Sequence, residues 1–217
     1  MDIDTIKKII QDFFQEGTVT IVGSGLSLAE GIPGMGELAK KLQMEIPGLL
    51  SATGDIKNWN NIENDLAKGV GLEEALHNTK PSSYVEECIR KVTAIYIGEA
   101  DKRLLTDIVK TGKQLRFSEY LQRFNIRNEG MTVITTNYDR LLEYACETNE
   151  IMADTLFVGK YIARFKPNQS KYASCIGVQR TNGKGKKLQY SPRVIILKPH
   201  GCLSWHLINS IAYSLPD

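Results

Sequence analysis

The chain has 217 residues, with 27 basic and 25 acidic side chains and a formal net charge of +2. This length suits one domain, or one domain with an insertion, and 42% hydrophobic residues can fill an ordinary core. No apolar run approaches the roughly 18 residues of a membrane span, and the acidic start at residues 1–4 is unlike a signal peptide. The four cysteines are dispersed without a C-x-x-C pair, which argues against a zinc ribbon or a disulfide framework. A reducing cytoplasm is therefore the expected location.

The basic residues are unevenly distributed along the chain. Between residues 155 and 216 there is no Asp or Glu, whereas ten Lys or Arg occur there. We expect a solvated surface of loops and a hairpin. The alternatives are attraction of a polyanionic ligand, or contact with an acidic partner or nucleic acid. No helix-turn-helix, aromatic RNA platform or zinc finger is recognisable.

The first half of the chain is predicted to be mainly helical around one strand. Apolar residues at helical spacing predict an amphipathic helix over 3–15 that ends at Gly17, and a β-type run predicts a strand over 18–22. The stretch 37–125 is expected to be a helical insertion or layer beside a sheet. Its predicted elements are a helix from Gly36 to Met44, a loop over 48–61, and helices over 62–76, 82–97, 101–111 and 117–125.

The second half is predicted to be richer in strands. A strand over 131–136 precedes a helix over 140–148, and Asn182-Gly183 predicts a hairpin within 172–190. The apolar run 194–197 is typical of a buried parallel strand. We therefore predict an α/β fold, a Rossmann-like parallel sheet flanked by helices, in one domain over 1–217. Only three parallel strands are evident, so we expect a fragment that lacks C-terminal strands.

A glycine-rich turn follows the first predicted strand. Residues 22–27 read Val-Gly-Ser-Gly-Leu-Ser, and Gly31-Ile32-Pro33 comes shortly after them. Glycines at a strand-to-helix turn let a pyrophosphate approach the backbone, and the helix N-terminus supplies N–H groups. The alternative is a tight turn without a ligand, because Leu28 occupies the position of the fingerprint's third glycine.

Two further strands end in small and polar residues, at 135–139 and at 198–201. Because ligands of open α/β sheets bind outside the carboxyl ends of the strands, the three clusters predict one site. There His200 could act as a general base, or could be a hydrogen-bonded core histidine. Asn137 could orient a water or a ribose hydroxyl, and Asp139 could accept from a carboxamide or hydroxyl. Either of these two could instead cap a helix.

Taken together and in this order, the three motifs resemble the SIR2-like superfamily. The resemblance is closest to the bacterial branch found in anti-phage defence proteins, in which a tryptophan follows the histidine-glycine pair as Trp205 does here. Deacylating sirtuins carry a zinc module with two cysteine pairs, and their second motif has glutamine and isoleucine where Thr136 and Tyr138 stand. The resemblance implies an enzyme that hydrolyses NAD+ to nicotinamide and ADP-ribose without a metal.

The resemblance also implies the roles of individual residues. Asn137 and His200 correspond to the residues required for hydrolysis. Residues that correspond to NAD-binding positions are Gly23, Ser24, Gly25, Ser27, Pro33, Thr136, Asp139 and Gly201. Expected partners are further copies of the chain, or a sensor, helicase-like or Argonaute-like component. Two other functions stay open: a module that senses NAD or ADP-ribose without turnover, and an NAD-dependent protein deacylase.

Overall fold

The computed structural model describes residues 2–12, 17–124, 126, 130–180 and 186–216. Its contacts divide the chain into two compact units. One unit contains Met1–Leu26 and Gly112–Asp217, and the other contains Ser27–Thr111. Within the described ranges, no helix combines the length and apolar character that crossing a membrane requires.

Helices and strands are numbered separately in chain order. The helices are α1 Ile3–Asp12, α2 Ser24–Ala29, α3 Met35–Glu45, α4 Thr53–Ala67, α5 Leu72–Asn78, α6 Ser83–Thr111, α7 Arg116–Leu121, α8 Leu141–Glu147 and α9 Pro167–Ala173. The strands are β1 Val19–Val22, β2 Met131–Thr135, β3 Met152–Asp154, β4 Phe157–Val158, β5 Ala163–Phe165, β6 Cys175–Arg180, β7 Lys186–Tyr190, β8 Arg193–Leu197, β9 Trp205–Ile208 and β10 Ile211–Ser214.

The first unit is built on a parallel sheet with the strand order β1-β2-β8-β3. Val22 of β1 lies opposite Thr135 of β2, and Ile134 of β2 lies opposite Leu197 of β8. The three strands therefore end at nearly the same level, and the turns that follow them share one edge. Helix α8 packs against β3 and β8. This is an α/β arrangement of a parallel sheet with helices, compatible with a Rossmann-like fold.

The structure adds strands that the sequence did not predict. β3 is a fourth parallel strand, and β4, β5, β10 and β9 form an antiparallel sheet. These strands have only two to four residues each, too few to show an alternating pattern. Helix α9 was also missed. The predicted hairpin is confirmed by the antiparallel pairing of β6 and β7, although its turn at Asn182-Gly183 lies outside the described residues.

Other predictions in this unit are confirmed where the structure describes them. The opening helix runs to Asp12, and Phe13 and Phe14 lie outside the described residues. The predicted helix over 117–125 is the shorter α7, and residue 125 also lies outside the description. The helix predicted over 140–148 is α8.

The second unit is helical and has its own apolar core. Buried residues of that core are Leu38, Leu42, Ile46, Trp59, Ile62, Leu72, Ala75, Val85, Cys88 and Val92. The predicted loop over 48–61 was wrong, because α4 begins at Thr53. Its polar composition concealed the buried Trp59. The Asn58 side chain also orders the segment, since it donates to Lys80 O at 3.1 Å and accepts from Ser82 N at 2.9 Å.

Two helix boundaries in this unit also differ from the prediction. The helix expected over 62–76 is two helices, because Gly69 adopts a left-handed φ of +85° between α4 and α5. Conversely, the helices expected over 82–97 and 101–111 are one continuous helix, α6. Gly98 within this helix costs about 1 kcal/mol in helix propensity, and burial of the neighbouring Ile97 and Ala100 favours the continuous helix.

Candidate functional site

The glycine turn lies between β1 and α2, and its backbone is open. Gly23, Ser24 and Gly25 are all exposed. A Cβ at Gly23 or Gly25 would meet no described atom within 4 Å, and neither residue has a left-handed φ. Packing and backbone strain therefore do not require glycine at these two positions. An incoming group that must approach the backbone closely would require it.

Asn137 connects the turn after β2 to the glycine turn. Its Nδ2 donates to the carbonyl of Gly23 at 3.0 Å, across 114 positions of sequence. Its backbone N–H donates to Oγ1 of the buried Thr135 at 3.1 Å. The amide is thus oriented, with Nδ2 on Gly23 and Oδ1 as the acceptor end. Thr136, which lies between Thr135 and Asn137 in the chain, is exposed.

Asp139 lies at the start of α8. It is buried, and its Oδ1 accepts a hydrogen bond from the backbone N–H of Leu141 at 3.1 Å. This contact satisfies one of the N–H groups that a helix leaves unpaired at its N-terminus. The N-cap position of α8 itself is Arg140, so Asp139 makes a local hydrogen bond just before the helix. Its contact with a ligand stays a prediction.

The third cluster forms a turn over residues 198–201. The N–H of Gly201 donates to the carbonyl of Lys198 at 3.0 Å, and Gly201 has a φ of +91°, which favours glycine over other residues. His200 is exposed on this turn. Leu203 N donates to the carbonyl of Tyr138 at 3.0 Å, so the turns after β2 and β8 are in direct contact.

Lys198 is a site residue whose role the sequence did not reveal. Its side chain is only 1% exposed, and its Nζ lies 2.8 and 3.1 Å from the two carboxylate oxygens of Glu143. The same Nζ donates to the carbonyl of Asp139 and lies 3.6 Å from Sγ of Cys202. Burial is the largest single effect and lowers the pKa of Lys198, but the neighbouring Glu143, Cys202 and Asp139 together outweigh it, so the pKa of Lys198 is raised. Lys198 is thus charged at neutral pH. The stability that this charge gives the folded protein is lost only when the pH rises above 10.5, the ordinary pKa of lysine.

Lys198 and Arg193 also correct the expected basic surface. Both belong to the run without acidic residues, yet both are buried. Arg193 Nη1 lies 2.5 Å from Asp154 Oδ2. Their partners, Asp154 and Glu143, precede that run in the sequence, so the charges are balanced across strands and helices instead of within the segment.

Two predicted positions belong to the second unit. Ser27 is buried, and its carbonyl accepts from the N–H of Ile32 at 2.9 Å. Pro33 is half-buried and directly follows the buried Ile32. These contacts shape the turn after α2. A role in NAD binding stays a prediction for both residues.

Two cavities of the first unit open beside the motifs. One, of about 410 Å³, adjoins the glycine turn and is lined by Thr20, Ile21, Val22, Gly23, Gly25, Leu26, Arg116, Phe117 and Tyr120. The other, of about 420 Å³, adjoins the 198–201 turn and is lined by Ile134, Thr155, Leu156, Phe165, Ile196, Leu197, Lys198, Pro199 and Trp205. Both sides of the candidate site therefore offer space for a small molecule.

The fold and the three motifs define an α/β domain with polar turns at the carboxyl edge of a parallel sheet. Comparison with known families then gives the class, since residues 131–215 match the model of the SIR2-like domain. This part of the chain is therefore similar to a SIR2-like domain, a class that uses NAD+. The match includes the motifs after β2 and β8, and the glycine turn lies before it. No curated protein matches the chain.

Proposed function

We propose that the chain is an NAD+ glycohydrolase that cleaves NAD+ to nicotinamide and ADP-ribose. The observation that carries this proposal is the hydrogen bond from Asn137 to Gly23. It brings the amide of the SIR2-like motif against an open glycine backbone, where a pyrophosphate can approach. The second residue expected to react, His200, lies on the turn after the adjacent strand β8.

The reaction requires little general acid catalysis, because nicotinamide in NAD+ is already a cationic leaving group. The bond between C1′ of the ribose and the nicotinamide nitrogen breaks, and its electron pair neutralises the cationic ring. A water oxygen then bonds to C1′ and loses a proton. The site must stabilise an oxocarbenium-like ribose and position this water.

The described groups suit these requirements. With Nδ2 on the Gly23 carbonyl, Oδ1 of Asn137 is the atom that would accept a hydrogen bond from the water or a ribose hydroxyl. The exposed imidazole of His200 would accept the proton that the water releases. The backbone at Gly23 and Gly25 would hold the pyrophosphate and thereby fix the reacting bond.

Nicotinamide release from NAD+ by the purified protein tests the proposal. We expect His200→Ala and Asn137→Ala each to lower kcat by at least ~100-fold, with a nearly unchanged thermal melt. His206→Ala is the matched control, because His206 is an exposed histidine of β9 outside the motifs. Binding of NAD+ without turnover would indicate a sensor instead. Release that depends on an acetylated peptide would indicate a deacylase.

The glycine turn supplies an independent test through Gly25→Ala. Because Gly25 lies within α2 and its Cβ would meet no described atom, alanine should raise stability by up to ~1 kcal/mol. The same methyl group would obstruct a pyrophosphate, so NAD+ affinity should fall at least about tenfold, or 1.4 kcal/mol. Thermal melts and calorimetric titration with NAD+ measure the two effects. An unchanged affinity would contradict phosphate binding at this turn.

We further propose, from the resemblance of the motifs, that the activity serves anti-phage defence. The enzyme would stay silent until a sensor or an oligomer activates it. Bacteria that express the wild-type chain with its neighbouring genes should then lose NAD+ and resist phage, whereas cells with His200→Ala should do neither. Equal phage growth in both strains would remove the defence role and leave the hydrolase proposal intact.

A further inference from the structure

We infer that Lys198 is a positioning residue that holds the turn carrying His200 against the segment carrying Asn137. This inference rests on the proposed function, because it assigns the geometry of that site to one buried ammonium group. The ammonium group of Lys198 is not available to a substrate, since its side chain is 1% exposed and its Nζ contacts Glu143 and Asp139. It would therefore act through the residues that it connects.

The contacts of Lys198 reach both motifs. On one side its Nζ meets the Asp139 carbonyl, two residues after Asn137, and the carboxylate of Glu143 in α8. On the other side its backbone begins the 198–201 turn, where its carbonyl accepts from Gly201 N at 3.0 Å. One residue thus contacts the segment that carries the amide and the turn that carries the imidazole.

The chemistry of these contacts makes the connection stiff. An ammonium group has three donors and prefers to use all of them when it is buried. Here the acceptors are the Asp139 carbonyl and the Glu143 carboxylate, both from the segment at α8, and the sulfur of Cys202, which follows the 198–201 turn. The backbone bond from Leu203 to Tyr138 lies beside them. Loss of the ammonium would remove the side-chain part of this connection between the two turns.

A pair of charge-balanced double variants tests the inference. Lys198→Met/Glu143→Leu removes one buried ion pair of β8, and Arg193→Met/Asp154→Leu removes the other as a matched control. Replacing both partners of a buried pair by apolar residues is often tolerated, so both proteins should fold. Nicotinamide release, NAD+ affinity and amide hydrogen exchange are then measured for each variant.

We expect kcat of Lys198→Met/Glu143→Leu to fall about 100-fold, the cost of a displacement near 1 Å at a catalytic group. NAD+ affinity should change less than about threefold, because the glycine turn is unaffected. The N–H groups of Gly201 and Leu203 should exchange at least about tenfold faster. The control should match the wild-type protein in all three measurements. A kcat equal to that of the control would overturn the inference.

A second variant decides the question if the first one does not fold. Glu143→Gln keeps Lys198 but replaces its ion pair with a weaker hydrogen bond. Glu147→Gln is the control, because Glu147 is an exposed acid of the same helix. Only Glu143→Gln should lower kcat and speed exchange at Gly201 and Leu203. Wild-type values for both readouts would overturn the inference.

The hydrolase proposal and this inference fail in different ways. If the wild-type protein releases no nicotinamide, the hydrolase proposal fails. Hydrogen exchange at Gly201 and Leu203 still tests Lys198 in that case, because it needs no turnover. Unaltered exchange in the Lys198 double variant would then reject the positioning role by itself.

Discussion

Strand β8 has a buried ion pair at each end, and the two pairs connect β8 to different secondary-structure elements. At its start, Arg193 Nη1 lies 2.5 Å from Asp154 Oδ2 of the neighbouring strand β3, so this pair lies within the sheet. Just beyond its last residue, Lys198 Nζ lies 2.8 Å from Glu143 Oε1 of α8. The first pair connects strand to strand, whereas the second connects two candidate catalytic turns through a helix.

The comparison separates stability from activity on a single strand. Both pairs place a cation and a carboxylate in a low-dielectric interior, so removing one partner of either should leave an uncompensated charge. Only the Lys198 pair also contacts the residues around Asn137 and His200. Similar energetic costs with different catalytic consequences are therefore expected from the two ends of β8.

Single substitutions test this difference with the largest expected effect. Arg193→Met and Lys198→Met should each lower the free energy of unfolding by about 3–5 kcal/mol, because Asp154 or Glu143 is left buried without its partner. At a temperature where both variants are folded, Lys198→Met should lose NAD+ hydrolysis and Arg193→Met should retain it. Denaturant unfolding and nicotinamide release are the two measurements. Equal losses of activity would show that the two pairs do not differ.

Two left-handed glycines extend the comparison at an intermediate magnitude. Gly201 follows His200 with a φ of +91°, and Gly130 precedes β2 with a φ of +86°. Alanine at either position should cost about 1–2 kcal/mol in stability, because a side chain disfavours this conformation. A Cβ at Gly130 would also lie 3.2 Å from Cγ of Arg193.

The activities of these variants should again diverge. Gly201→Ala should lower kcat about tenfold or more, since a shifted turn misplaces His200. Gly130→Ala should leave kcat unchanged and affect only the thermal melt. A larger loss of activity in Gly130→Ala than in Gly201→Ala would reverse the assignment of the two ends.

The same contrast explains what the sequence could predict. Strands β1, β2 and β8 were predicted because each is an apolar run followed by small or polar residues, and that local pattern also located Gly23, Asn137 and His200. Continuous apolar runs are typical of buried parallel strands. Parallel strands place their carboxyl ends at the same edge of the sheet. The common edge of the sheet was therefore accessible from sequence.

The ion pairs could not be predicted from the sequence, because each joins residues far apart in the chain. Glu143 and Lys198 are separated by 55 positions, and Asp154 and Arg193 by 39. Lys198 follows an apolar strand and lies two positions beyond the buried Ile196, so strand alternation could have suggested an inward side chain. Nothing local identifies its partner. The short strand β3 was missed for a related reason, since its position in the sheet depends on its pairing with β8.

Cysteine alkylation rates compare the two ends of β8 with the smallest expected effect and the least disturbance of the fold. Burial raises the pKa of Cys202, an effect that the nearby Lys198 ammonium opposes only in part, and burial also raises the pKa of Cys146. Cys175 is exposed. Since the thiolate is the reactive form, iodoacetamide at pH 8 should modify Cys175 at least about tenfold faster than Cys202 or Cys146.

The ion-pair variants should change this pattern at one thiol only. In Lys198→Met, loss of the ammonium raises the pKa of Cys202 further, but the looser 198–201 turn exposes its thiol. We expect the exposure to dominate, so the rate of Cys202 should rise relative to that of Cys146. Arg193→Met should leave the ratio unchanged, because that cation is at the other end of β8. Mass spectrometry of the alkylated peptides measures both rates. A faster reaction of Cys202 in Arg193→Met would mean that the two ends of the strand are mechanically coupled and that Lys198 does not control the turn alone.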